Sequence, residues 1–220
     1  MHDTTFLSGQ LKEMGTKICD FFLVRNMIEK DVRDLLTDHI MKCHRRYRLA
    51  IKHKGEDVVL ADPERYGYYR KDHSSIAYSM YGNLIMEDLL DTFTPIVEEI
   101  TQLNLNPNYS YFSLYEHGNT LEKHIDREDC EVTLSICLGQ SPEKPWPIYI
   151  SEEKFNLESG DGVIYQGREH EHWREPYEGE YVAQVFFHWT DKDGPNGNTI
   201  FDGRPYLGHP TENIIDRRRP

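Results

Sequence analysis

The chain has 220 residues, 38% of them hydrophobic and 29% charged, which suits one large domain with a sizeable buried core. Its net charge of −13 speaks against a long phosphate backbone as the main partner. No apolar run reaches the ~20 residues that span a bilayer, and the start, MHDTTFLSGQLKEMG, lacks the pattern of a signal peptide. A soluble, cytoplasmic protein with neither nucleic-acid nor membrane partners is therefore expected, with its oligomeric state open. Arg217, Arg218 and Arg219 read as a solvated tail. Cys19, Cys43, Cys130 and Cys137 follow neither CxxC nor zinc spacing and are expected as reduced thiols.

In chain order, residues 24–43 place Ile28, Val32, Leu35, Leu36, Ile40 and Met41 on one helical face, with a start near Asn26. A polar and aromatic stretch, 53–75, reads as a long loop carrying Tyr66, Tyr68 and Tyr69; it is either a lid over a substrate or an ordered surface loop. A second helix is expected over 85–102, where Met86, Leu89, Leu90, Phe93, Ile96, Val97 and Ile100 recur at helical spacing around Pro95. From residue 109 the texture changes. Segments 109–115, 130–138, 146–150, 162–167 and 181–189 are short, rich in β-branched and aromatic residues, and divided by Gly, Pro and Asn turns. Such strands suggest a sandwich or closed jelly roll. The expected class is α+β, one domain over 1–220: a helical and loop part over 1–108 forming an N-terminal helical layer, a β-core over 109–190, and an irregular tail over 191–220.

His124-Ile125-Asp126 carries the first chemical signal. Residues two apart in an extended segment point the same way, so an imidazole and a carboxylate can reach one cation together. A third ligand from a distant strand would complete one face of an octahedron, the two-His, one-carboxylate arrangement that suits iron(II) and leaves positions open. His170 and His172 share strand parity and both qualify; Pro176 and Gly179 turn the chain soon afterwards, which favours His172, nearer the strand end. Zinc would accept the same donors, but its hydrolase motif HExxH is absent. Residue types alone leave iron, manganese and nickel open.

With these residues in place, the chain resembles the 2-oxoglutarate and iron(II)-dependent oxygenase superfamily, in its prolyl-4-hydroxylase-like branch. The resemblance spans roughly residues 76 to 208. Its blocks are YSYFSLYEHGNTLEKHIDREDCE (109–131), WPIYI, GDGVIY, HWREPYEG and QVFFHW. It implies a double-stranded β-helix (jelly-roll) core with His124, Asp126 and His172 as iron ligands. It also implies 2-oxoglutarate as co-substrate, O2 as oxidant and ascorbate as an auxiliary reductant. The implied reaction is a dioxygenase one: 2-oxoglutarate is decarboxylated to succinate and the substrate, a small molecule or peptide, is hydroxylated. Tyr115 matches the tyrosine that helps hold the distal carboxylate of 2-oxoglutarate. The usual Lys or Arg on the last core strand is missing from YVAQVFFHW. A buried carboxylate still needs a partner. Arg174 shares parity with His172 and is the expected one, with Arg168 and then Arg127 in reserve. A cupin-like metal-binding protein, or a dioxygenase that does not use 2-oxoglutarate, is the competing reading. A nucleic-acid demethylase is a more distant one. Trp173 and Trp189 are expected to pack, His188 to sit satisfied at a strand end, and His117, Asn119 and Asp161 to serve turns.

Overall fold

The computed structural model describes residues 15–18, 21–69, 76–141 and 145–209. Cys19, the 70–75 part of the expected loop and Arg217–Arg219 lie outside them. The strands are β1 (Gly15–Ile18), β2 (Phe21–Val24), β3 (Tyr68–Tyr69), β4 (Tyr78–Tyr81), β5 (Leu105–Glu116) and β6 (Leu121–His124). They continue with β7 (Val132–Gln140), β8 (Ile148–Ile150), β9 (Glu153–Phe155), β10 (Gly162–Tyr165), β11 (His172–Arg174) and β12 (Tyr181–Asp191). Among the described residues four helices precede β5: α1 (Lys30–Lys54), α2 (Glu56–Leu60), α3 (Pro63–Tyr66) and α4 (Leu84–Thr101).

Two antiparallel sheets result. The larger has the order β1-β2-β10-β7-β12-β5-β4-β3 and the smaller β6-β11-β8-β9. From β5 onward the chain passes back and forth between them, so their inner faces close on one another as in a jelly-roll core. Ile148, Ile150 and Phe155 of the small sheet meet Tyr115, Val163, Val182 and Phe186 of the large one.

The opposite face of the large sheet is apolar. Phe112, Leu114, Leu134, Ile136, Val185, Phe187 and Trp189 occur at period two and pack on two helical stripes. One is Leu36, Ile40, Cys43 and Tyr47 of α1; the other is Met86, Leu90, Phe93 and Val97 of α4. Each stripe repeats every three or four residues, the spacing of one helix face. Burying each large side chain there contributes about 1.5–3 kcal/mol.

Several boundaries differ from expectation. The first helix starts at Lys30, because Asn26 takes a left-handed conformation (φ 49°) and its N–H donates to Asp161 Oδ1 at 3.0 Å. It runs on to Lys54, since Tyr47 and Ala50 continue the buried stripe, and stops at Gly55 (φ 91°). The expected loop after residue 53 is largely α2, α3 and β3 as far as Tyr69. Residues 1–108 are more than helix and loop: β1 to β4 extend the edges of the large sheet. The segment after β12 is built of turns and one 3-10 turn, Phe201–Gly203. It is pinned by a buried ion pair, Arg204 Nη2 to Glu87 Oε2 at 2.8 Å. Among the described residues no helix is long and apolar enough to cross a membrane.

Candidate metal centre

β6 ends at His124, and Asp126 follows in the extended segment beyond it. β11 begins at His172, whose Cα is the register partner of His124. The exposed Ile125 points away. His124 Nε2 lies 3.8 Å and His172 Nε2 3.6 Å from Asp126 Oδ1, and the ligand atoms of all three residues fall within 4.8 Å of one another. His124 Nδ1–H donates to the Glu122 carbonyl at 2.8 Å and His172 Nδ1–H to the His170 carbonyl at 3.0 Å. A carbonyl can only accept, so Nδ1 carries a proton in both rings and Nε2 is the atom that faces Asp126. Metal-ligating histidines are held in this way.

Asp126 is fixed by two neighbours, Gly167 and Thr133. Its N–H donates to Gly167 O at 2.9 Å, and Thr133 Oγ1 donates to its Oδ2 at 3.1 Å. A Cβ on Gly167 would lie 2.1 Å from that same Oδ2, so only glycine lets the chain pass here. Burial alone would raise the Asp126 carboxyl, but the His172 hydrogen bond and charge, with His188 and His124 beyond, hold it well below the usual range. Burial likewise works to lower His172, and the hydrogen bond and charge of Asp126 raise it above 6.5.

His170 is not part of this group. Its Nδ1 lies 3.0 Å from Ser151 Oγ and its ring packs edge-on against Phe21 at 4.7 Å. Its contribution is the carbonyl that orients His172.

Two residues along β11, Arg174 enters the barrel interior, 3% exposed. Nη1 donates to the Trp146 carbonyl and the guanidinium lies 4.7 Å over the Trp146 ring. Nε and Nη2 have no hydrogen-bond partner among the described residues. Burial lowers its pKa, partly offset by Tyr115, Cys137 and Tyr165, and among the described residues no carboxylate is paired with it. Tyr115 packs edge-on against Trp146 at 4.8 Å. The two reserve arginines are engaged elsewhere: Arg168 with Glu131 (3.5 Å) and Glu169 (3.3 Å), Arg127 with Asp129 (3.4 Å) and Asp202 (3.0 Å).

Trp189 donates to Thr94 Oγ1 at 2.9 Å in the helix-facing core, and Trp173 stacks on Tyr149 at 5.2 Å. Asn119 accepts from Glu116 N at 2.9 Å in its turn, and Asp161 accepts from Glu158 N at 3.0 Å. His188 departs from expectation. It lies within β12, 2% exposed, and its Nε2 has no partner among the described residues. Burial pushes it down to about 4, so the ring is neutral. Cys43, Cys130 and Cys137 are free, buried thiols.

No protein-family model matches the sequence, and no curated protein matches it. Solved structures do. A viral collagen prolyl hydroxylase from Paramecium Bursaria Chlorella virus-1, solved as a 2OG complex, is 13% identical with a TM-score of 0.56, over 77% of this chain and 95% of that one. A Pseudomonas putida prolyl-4-hydroxylase is 14% identical with a TM-score of 0.54, over 83% and 96%. The fold is that of the prolyl hydroxylases and other 2-oxoglutarate-dependent oxygenases. The fold also reaches a non-heme alpha ketoglutarate dependent epimerase from nogalamycin biosynthesis, 10% identical with a TM-score of 0.57, over 85% and 84%. One oxygenase fold thus carries different reactions, and the chemistry lies in each chain's own side chains.

The donors fit the implied groups. Two neutral imidazoles and one carboxylate suit a divalent transition metal with positions left open. The unpartnered Nε and Nη2 of a buried guanidinium suit the carboxylate of 2-oxoglutarate.

Proposed function

We propose that the chain is a non-haem Fe(II) oxygenase that couples oxidative decarboxylation of 2-oxoglutarate to hydroxylation of a small-molecule or peptide substrate, such as an amino acid or a prolyl residue. The observation that carries this reading is Arg174. A guanidinium taken out of water without a counter-charge is strongly unfavourable, and a bound dianion would relieve it. Its place in the same barrel interior as the triad weighs against a metal site that works without 2-oxoglutarate.

In this reading His124, Asp126 and His172 hold the iron through two Nε2 atoms and a carboxylate oxygen. The Glu122 and His170 carbonyls keep both imidazoles in the ligating tautomer, and Thr133 and Gly167 fix the carboxylate. Arg174 grips the distal carboxylate of 2-oxoglutarate through Nε and Nη2, held flat by the Trp146 ring, with Tyr115 beside it. Together the bound metal, co-substrate and O2 supply an oxidant able to attack an unactivated C–H bond. The protein binds, orients and excludes water, and the buried walls of the two sheets serve the last of these. The −13 charge favours a small or cationic substrate over nucleic acid.

Succinate formation from 2-oxoglutarate with Fe(II), ascorbate and O2 tests the proposal. Slow turnover without added substrate is expected, and it should vanish in Arg174→Met. No succinate from the wild type, together with no 2-oxoglutarate binding, would overturn it.

A further inference from the structure

Beside the triad, the barrel interior holds a second set of ligating atoms. Cys130 Sγ, a ring nitrogen of His188 and a carboxylate oxygen of Asp126 lie within 4.8 Å of one another. Cys130 is 1% and His188 2% exposed, so both lie away from bulk solvent.

Hydrogen bonding dictates how these donors are presented. Thr133 has one hydroxyl proton and gives it to Asp126 Oδ2. It can only accept from His188, whose Nδ1 lies 3.1 Å away. The His188 proton is therefore on Nδ1, and the lone pair on Nε2 is the atom left without a partner. Such an orphaned buried acceptor is unfavourable. A phenylalanine would fill the same slot, stacked on Tyr109 at 4.4 Å, without that penalty. The imidazole instead matches His124 and His172 in its tautomer: Nδ1–H is anchored and Nε2 keeps a free lone pair. The Tyr109 hydroxyl, 3.1 Å from Cys130 Sγ, is placed to donate to a thiolate.

We propose that Cys130, His188 and the Asp126 carboxylate bind a second divalent cation, so that Asp126 bridges two ions. A carboxylate has lone pairs for both sets on its two oxygens. Thiolate and imidazole select a borderline ion such as Zn2+, Fe2+ or Co2+ over Mg2+ or Ca2+, and three protein donors leave a position for water. On binding, the Cys130 thiol releases its proton to solvent and its sulfur forms the metal bond. The site goes beyond the oxygenase reading and does not depend on 2-oxoglutarate. Its donors Cys130 and His188 can be removed without touching His124 or His172.

Anaerobic Co2+ titration of the full chain reads the two sites separately, because only a thiolate ligand gives an intense near-ultraviolet sulfur-to-cobalt band. Two equivalents should bind, with the band tracking one of them. Cys130→Ser should lose one equivalent and the whole band, and His188→Gln should lose the same equivalent. His172→Ala should weaken the other equivalent and keep the band. Tyr109→Phe should weaken the thiolate-linked equivalent by about 10–100-fold. If Cys130→Ser does not fold, His188→Gln alone carries the comparison. A single equivalent in the wild type, with or without the band, contradicts the proposal, as does a band that survives His188→Gln unchanged.

Discussion

The two faces of the large sheet are made by alternate residues of the same strands, yet they are built on opposite rules. The face toward α1 and α4 is apolar throughout β7 and β12. The face toward the small sheet carries Ser113, Thr133, Ser135, Gln184 and His188, each at most 2% exposed. Polar residues alternating with apolar ones in a strand ordinarily mark a solvated side. Here the side that carries them is the inside of the barrel, where they lie among Val163, Val182 and Phe186. A dry polar surface has to be paired, and Ser135 with Gln184 (2.7 Å) and Ser79 with Ser113 (2.8 Å) do so. Arg174 Nε and Nη2, Gln184 Oε1 and His188 Nε2 are left over on that side. The helix-facing side holds the fold together, while the inner face carries Arg174 and His188, whose unpartnered atoms suit a bound anion and a bound cation.

Breaking that contrast should give its largest effect at the triad. His172→Ala removes a ligand and should abolish metal binding and succinate formation. His170→Ala, which keeps the orienting carbonyl, should leave both largely intact. Equal loss in the two variants, by metal analysis and assay, would mean the triad is misassigned.

Next in size is the helix-facing side. Phe187→Ala should cost about 3–5 kcal/mol of unfolding free energy, read by urea denaturation. The affinity of its folded form for 2-oxoglutarate should not change. The inner face should behave in reverse. Arg174→Met should lose about 2–5 kcal/mol of 2-oxoglutarate binding, yet the ligand-free protein should be no less stable, because an uncompensated buried charge is gone. A fall in ligand-free stability matching that of Phe187→Ala would erase the distinction between the faces.

The smallest expected effect is one of pH. A protonated imidazole offers no Nε2 lone pair, so protons compete with metal at His172. Asp126 raises the His172 pKa above 6.5, so the competition starts at higher pH than for an ordinary histidine. Mn2+ affinity should fall by about tenfold per pH unit as pH drops below that raised value. An affinity that stays flat from about pH 8 to about pH 6 would sink this account of His172.

Much of the inner face could be read before the structure, because its logic is local. His124 and Asp126 need only the two-residue period of an extended chain. Arg174 shares that period with His172, which is how a guanidinium could be expected where β12 carries none. His188, Cys130 and Thr133 could not be read in this way. They meet only through the register that sets His188 opposite Thr133, and no sequence period encodes a pairing across 55 residues. Strands β6, β9 and β11 are three or four residues long and lack a run from which alternation could be read. The longer α1 escaped because Arg45, Arg46, Arg48 and Lys52 surround the buried Tyr47 and Ala50 in the sequence.

The most direct test of the central claim is a thermal-shift titration with 2-oxoglutarate, done anaerobically in the presence of Mn2+. If the barrel interior is completed by a metal and a dianion, 2-oxoglutarate should raise Tm in the wild type. It should fail to do so in Arg174→Met and in His172→Ala. A wild-type Tm that ignores 2-oxoglutarate while Mn2+ is bound would contradict the account.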